Sequence, residues 1–138
     1  YKNAVSKASR FRAGGESAQH KQLKEFIAKH PEILHLAMGL VGRTEYSLPS
    51  GDCLDVLFER RREYIGVEVK SKISQEADIV RGIFQCIKYC SVIEAYQASQ
   101  GLPQNARVVL ILGGTLPKHL VPLKNMLGIE VLDNINPV

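Results

Sequence analysis

Asp55, Glu68 and Lys70 are the residues of this chain whose types and spacing best suit joint chemistry. Asp55 interrupts the apolar segment Cys53-Leu54-Asp55-Val56-Leu57-Phe58. Glu68 and Lys70 close the alternating segment Tyr64-Ile65-Gly66-Val67-Glu68-Val69-Lys70. Strand side chains alternate in direction, so Glu68 and Lys70 share one face and Val67 and Val69 the other. An ionised carboxylate inside an apolar run is unfavourable unless it is paired or holds a cation. Two adjacent strands built this way would aim two metal-binding carboxylates and an amine at one point. Magnesium suits that set, because it is held by one or two carboxylates and keeps waters and substrate phosphate in its other positions. Manganese is the expected substitute. Taken alone, Glu68 and Lys70 also read as an ion pair on an exposed strand face.

The hydrophobic pattern supplies the elements that must hold these residues. A helix is expected from about Glu16 to Lys29, stopping before Pro31, with Glu16, His20, Leu23 and Ile27 on one side. Strands follow near Thr44 to Leu48, Leu54 to Glu59 and Glu63 to Lys70, the last two joined by the charged turn Glu59-Arg60-Arg61-Arg62-Glu63. A long helix is expected from about Gln75 to Ser99, burying Ile79, Val80, Ile83, Ile87 and Cys90. Its other face would carry Arg81, Gln85, Lys88, Tyr89 and Val92. That face reads either as solvent-exposed or as a stacking and phosphate-contacting surface for nucleic acid. Then come an apolar strand at Arg107 to Leu112, a Gly113-Gly114 turn, a short helix at Lys118 to Met126 and a strand at Gly128 to Leu132. This order predicts an α/β fold, a central mixed β-sheet flanked by helices, in which an antiparallel meander joins strands reached by helical crossovers.

So ordered, the residues resemble the active-site signature of the PD-(D/E)xK nuclease superfamily, which has a restriction-endonuclease-like core. Asp55 matches the family aspartate and Glu68-Val69-Lys70 its Glu-x-Lys. Gln85-Cys86-Ile87-Lys88-Tyr89 spells the Gln-x-x-x-Tyr of the branch that includes nuclease domains of bacterial recombination helicases. Glu16 is placed like the first-helix glutamate of many members. One departure is Leu54, which stands where the family name implies proline; Pro49 lies upstream, and Asp52 is a rival for the metal position.

The resemblance implies a divalent-metal-dependent nuclease that hydrolyses phosphodiester bonds in DNA. Asp55, Glu68 and the Val69 carbonyl would hold the ion, and Lys70 would orient or deprotonate the attacking water. Glu16 would hold a second ion or a water. Gln85, Tyr89, Arg81 and Lys88 would position substrate, while His20 would touch phosphate or serve as a partly buried structural histidine. The alternative is a non-catalytic DNA-binding module of the same fold within a larger DNA repair or restriction protein. A purely protein-interacting domain leaves the carboxylate of Asp55 unexplained.

Composition agrees with this class. The chain has 138 residues, 45% hydrophobic, with net charge +4 and three cysteines. That length suits a single domain over 15–138, preceded by a basic arm over 1–14 with Lys2, Lys7, Arg10 and Arg12. The modest basic excess suits a polyanionic partner. Cys53, Cys86 and Cys90 are too few for the four-cysteine iron–sulfur cluster that some Gln-x-x-x-Tyr nucleases carry, and their spacing is not that of a zinc site. No apolar run approaches the ~18 residues of a membrane span and no secretory leader is visible, so a cytoplasmic location is expected. The start at Tyr1 is compatible with a piece of a longer protein. Expected partners are therefore DNA, further domains of such a protein and, in a homodimer, a second copy.

Overall fold

In a computed structural model of the chain, which describes residues 16–137, five strands form one mixed sheet in the order β1-β2-β3-β4-β5. β1 (Arg43–Ser47), β2 (Cys53–Arg60) and β3 (Glu63–Lys70) make an antiparallel meander. β4 (Arg107–Leu112) runs parallel to β3, and β5 (Glu130–Leu132) parallel to β4. Helix α1 (Ala18–Lys29) covers one face of the sheet and α2 (Glu76–Ser99) the other, while α3 (Val121–Leu127) lies in the last crossover. The basic arm expected over 1–14 lies outside the described residues. No described helix is long and apolar enough to cross a membrane.

Local chemistry sets the boundaries. Ser17 caps α1 by accepting from the His20 amide at 3.0 Å, which leaves Glu16 just ahead of the helix rather than inside it. Gln75 and Asp78 form a reciprocal capping box at the start of α2. The helix expected over 118–126 divides into a 3-10 turn, Lys118–Leu120, and α3, with Pro122 in its first turn. Gly128 closes α3 with a left-handed φ of 68°, so β5 cannot begin there and starts at Glu130.

Two apolar layers sandwich the sheet. Leu23, Ile27, Val56, Phe58, Val67, Val69 and Ile111 pack on the α1 side; Leu54, Leu57, Ile83, Cys86, Tyr89 and Leu110 pack on the α2 side. Two assignments on α2 are corrected here. Tyr89 is 2% exposed and belongs to the core, not to the outward face, whereas Ile87 is only half-buried. The buried stripe runs through Ile79, Ile83, Cys86, Tyr89 and Ile93, so it bears one to two residues away from the expected line.

Strand alternation slips at the place that matters. Leu54 and Leu57, three apart, both face α2, while Val56 and Phe58 face α1. Opposite this slip in β1, Glu45 has φ 53°, left-handed and strained for a residue with a Cβ, between Thr44 and Tyr46, which both pair with β2. Asp55 and Glu45 are thereby released from the ladder and turned toward α1.

Candidate active site

Pairing between β2 and β3 stops at Val56 and Val67. Beyond that point the Asp55 carboxylate takes over from the ladder, its Oδ2 accepting from the Val69 amide at 2.8 Å. Glu68 is 5% exposed on the α2 face, and it lies close enough to Asp55 for the two carboxyls to shift each other's titration. Burial and the Asp55 carboxylate push Glu68 well above the usual carboxylate range. Burial works the same way on Asp55, yet the bonds from Glu68, His20 and the Val69 amide outweigh it and hold Asp55 down at about 2. The titrations of the two crowded carboxyls are thus driven apart, a tension that a cation between them would relieve.

Lys70 completes the constellation from the same face as Glu68. Its stem runs against α2 at Gly82: a Cβ there would lie 3.2 Å from Lys70 Cε and 2.9 Å from Leu110 Cδ1. The absence of a side chain at Gly82 is what lets the amine pass. One turn on, the Cys86 thiol is pushed up by burial and then by the Glu68 charge, which places it in the same wall. Gln85 is half-buried there, and its Oε1 is a buried acceptor with no hydrogen-bond partner among the described residues.

From the other side α1 delivers a chain of charges. His20 Nε2 lies 3.6 Å from Asp55 Oδ2 and 3.2 Å from the Val69 carbonyl, and its Nδ1 is 2.6 Å from Glu16 Oε2. Burial lowers the His20 pKa, but Asp55 and Glu16 more than offset that and raise it. Lys24, 4% exposed, donates to Glu16 at 2.8 Å and to Glu45 at 3.0 Å. Burial again opposes and the carboxylates again prevail: Lys24 is raised and Glu16 lowered. Lys24 and Glu45 were not singled out in the sequence. Lys24 could have been found, since it lies one turn beyond His20 on the stripe that carries Glu16, Leu23 and Ile27.

The expected substrate-side residues separate. Lys88 pairs with Asp52 at 3.1 Å, which leaves Asp52 engaged outside the carboxylate pair. Arg81 lies on the exposed side of α2 beside Asp78, at 3.5 Å. Tyr89, being in the core, cannot stack on a substrate.

No family model matches the chain, and no curated protein matches it by sequence. In structure it is similar to EndoMS in a complex with double-stranded DNA, at 17% identity and TM-score 0.57 over 89% of this chain. It covers 47% of that protein, about half its length. It is also similar to an XisH family protein from Nostoc punctiforme, at 18% identity and TM-score 0.52, over 85% of this chain and 90% of the other. These likenesses show the fold. It is the α/β arrangement that the order of elements implied, a mixed sheet between helices.

Proposed function

We propose that this is a nuclease domain of the PD-(D/E)xK kind that hydrolyses phosphodiester bonds in DNA with the aid of a divalent ion. The observation that carries this is the placement of Asp55, at the end of the β2–β3 ladder, beside the buried Glu68, with Lys70 on the same face of β3. Burying two carboxyls side by side is costly, and a cation between them turns that cost into binding. The likeness to a protein bound to double-stranded DNA supports the choice of substrate class.

The proposed donors are oxygen atoms alone, whereas zinc favours nitrogen and sulfur ligands. Magnesium fits better, because two carboxylates and a carbonyl suffice beside water and phosphate. Asp55, Glu68 and the Val69 carbonyl would hold it, with manganese as substitute. A bound ion supplies relief of phosphate charge and a nucleophile at neutral pH. Lys70 orients the attacking water, takes part in its deprotonation and balances charge on the phosphate. His20 must turn from the Val69 carbonyl, which puts it within reach of a phosphate oxygen. Glu16 reaches a second ion or a water only on release from Lys24 and His20. Gln85, whose buried acceptor lacks a donor, is the substrate-facing residue on α2, with Arg81 and Lys88 farther out.

One observation favours a DNA-binding module without catalysis: His20 already occupies both Asp55 and the Val69 carbonyl. Cleavage assays on single-stranded, double-stranded and branched DNA, with and without magnesium, decide between the two. Asp55→Ala, Glu68→Ala and Lys70→Ala should each lower cleavage by about a hundredfold or more, the scale of a lost preorganised charge. Full activity in Lys70→Ala at matched folding would overturn the mechanism. DNA binding without cleavage under any ion would establish the binding module.

A further inference from the structure

Three of the chain's five tyrosines converge on the α2 face. Tyr46 of β1, Tyr64 of β3 and Tyr96 of α2, with Leu57, Ile93 and Pro49, line an open cavity of about 260 Å³. The Tyr64 and Tyr96 rings meet edge-on at 6.4 Å, and Tyr96 is 40% exposed. The Arg43 guanidinium lies over the Tyr46 ring, 4.9 Å from its centroid. The slip at Glu45 makes this possible, since it brings residues 43 and 46 to one face.

The rim is basic. The β2–β3 turn beside Tyr64 carries Arg60, Arg61 and Arg62, and Gln97, next to Tyr96, donates to the Arg62 carbonyl at 3.3 Å. Arg43 pairs with Glu59 and Arg60 with Glu63. Arg61 and Arg62 have no carboxylate partner among the described residues. Arg61 has φ 57°, a left-handed turn position that glycine, asparagine or aspartate would fill with less strain. An aromatic cage for a cation would not be rimmed by unpaired arginines. A flat, π-faced ligand attached to an anionic backbone satisfies both halves of the surface.

We propose that this cavity is a second nucleic-acid contact, which stacks an unpaired nucleobase between its tyrosines while Arg61 and Arg62 hold the flanking phosphates. The choice of a polynucleotide rests on the nuclease proposal; the site itself stands on its own residues. Tyr64 and Lys70 lie on the same face of β3, six residues or about 20 Å apart at strand rise. One strand of about six nucleotides, at 3.4 Å each, therefore spans both places.

The test uses the full chain in EDTA, oligothymidylate of about twelve nucleotides, and a duplex of equal length, lengths chosen to exceed that span. The chain has no tryptophan, so intrinsic emission reports its tyrosines directly. Oligothymidylate should quench that emission, and Tyr96→Ala or Tyr46→Ala should weaken its binding by about 5- to 100-fold, the value of one stacked base. Tyr96→Phe should keep most of the affinity, because stacking needs the ring and not the hydroxyl. Arg61→Ala and Arg62→Ala should each reduce the salt dependence by about one ion. Unchanged affinity in both alanine variants with intact melting temperatures overturns the proposal, as does equal tyrosine dependence for the duplex. Quenching that grows with protein concentration alone would make the cavity a self-interface and overturn it too. Magnesium-dependent cleavage that persists in those variants with unchanged affinity separates failure here from failure of the nuclease proposal.

Discussion

The Asp55 carboxylate accepts from the Val69 amide, 2.8 Å away, where β2 and β3 cease to pair. A side chain has replaced a strand at that point. The same contact fixes Asp55 beside Glu68 and sets the Val69 carbonyl near His20, so the end of one ladder brings together Asp55, Glu68 and Val69, the residues proposed to hold the first ion.

From this pair follows a response to metal. Manganese at about a hundredfold excess over its dissociation constant should stabilise the native state by roughly 2.7 kcal/mol. Asp55→Asn should lower the melting temperature of the metal-free protein, because the charge that the Val69 amide and His20 favour is lost, and remove most of the metal response. Equal responses in wild type and Asp55→Asn, read by thermal melting across a manganese titration, would show that Asp55 is not a ligand.

The metal-free protein should lose stability as pH rises. Glu68 is raised above its ordinary 4.5 and His20 above its ordinary 6.5, so each contributes fully below that value and loses its contribution as pH climbs through the folded pKa. Asp55, at about 2 against an ordinary 3.8, acts oppositely: its contribution is present above 3.8 and is lost as pH falls toward 2. Glu16, lowered from 4.5, behaves like Asp55. Melting in EDTA from about pH 4 to about pH 8 should therefore decline over its upper range. Glu68→Gln should remove part of that decline, and saturating manganese should oppose it.

Lys24→Met should cost about 2 kcal/mol, because partly buried Glu16 keeps only His20 as a partner. Glu45→Gln should cost under about 1 kcal/mol, since that carboxylate is 59% exposed. Chemical denaturation of the two variants gives the comparison. A cost for Lys24→Met no larger than for Glu45→Gln would mean the Glu16 pair is not the one that matters.

Gly82→Ala separates activity from stability. Helix propensity favours alanine by about 1 kcal/mol, offset by pressure on Leu110 and the Lys70 stem, whose ends can shift. The melting temperature should change little while cleavage falls by about a hundredfold, the scale of an ångström of misplacement at a reacting group. Activity equal to wild type would mean the Lys70 amine is not positioned through Gly82.

Much of this was legible in the chain. Alternation over 64–70 set Glu68 and Lys70 on one face, the apolar strand at 107–112 and the long helix over 75–99 stood out by period, and the charged residue inside an apolar run marked Asp55. These are local rules of strand and helix, and they hold wherever the chain is regular.

What the tertiary structure alone decided lies where regularity breaks or where partners come from elsewhere. The slip at Asp55 and the left-handed Glu45 turn two carboxylates toward α1, which period-two alternation cannot express. Tyr89 faces the core because the sheet, not the helix, determines which part of α2 is covered, and a stripe a residue or two away costs little in pattern but moves a tyrosine indoors. Lys24 is buried because Glu16 and Glu45 meet there across two elements. The sequence by itself determined which groups exist and the elements that bear them. Only packing decided which carboxylate meets which cation, because that depends on contacts between residues far apart in the chain.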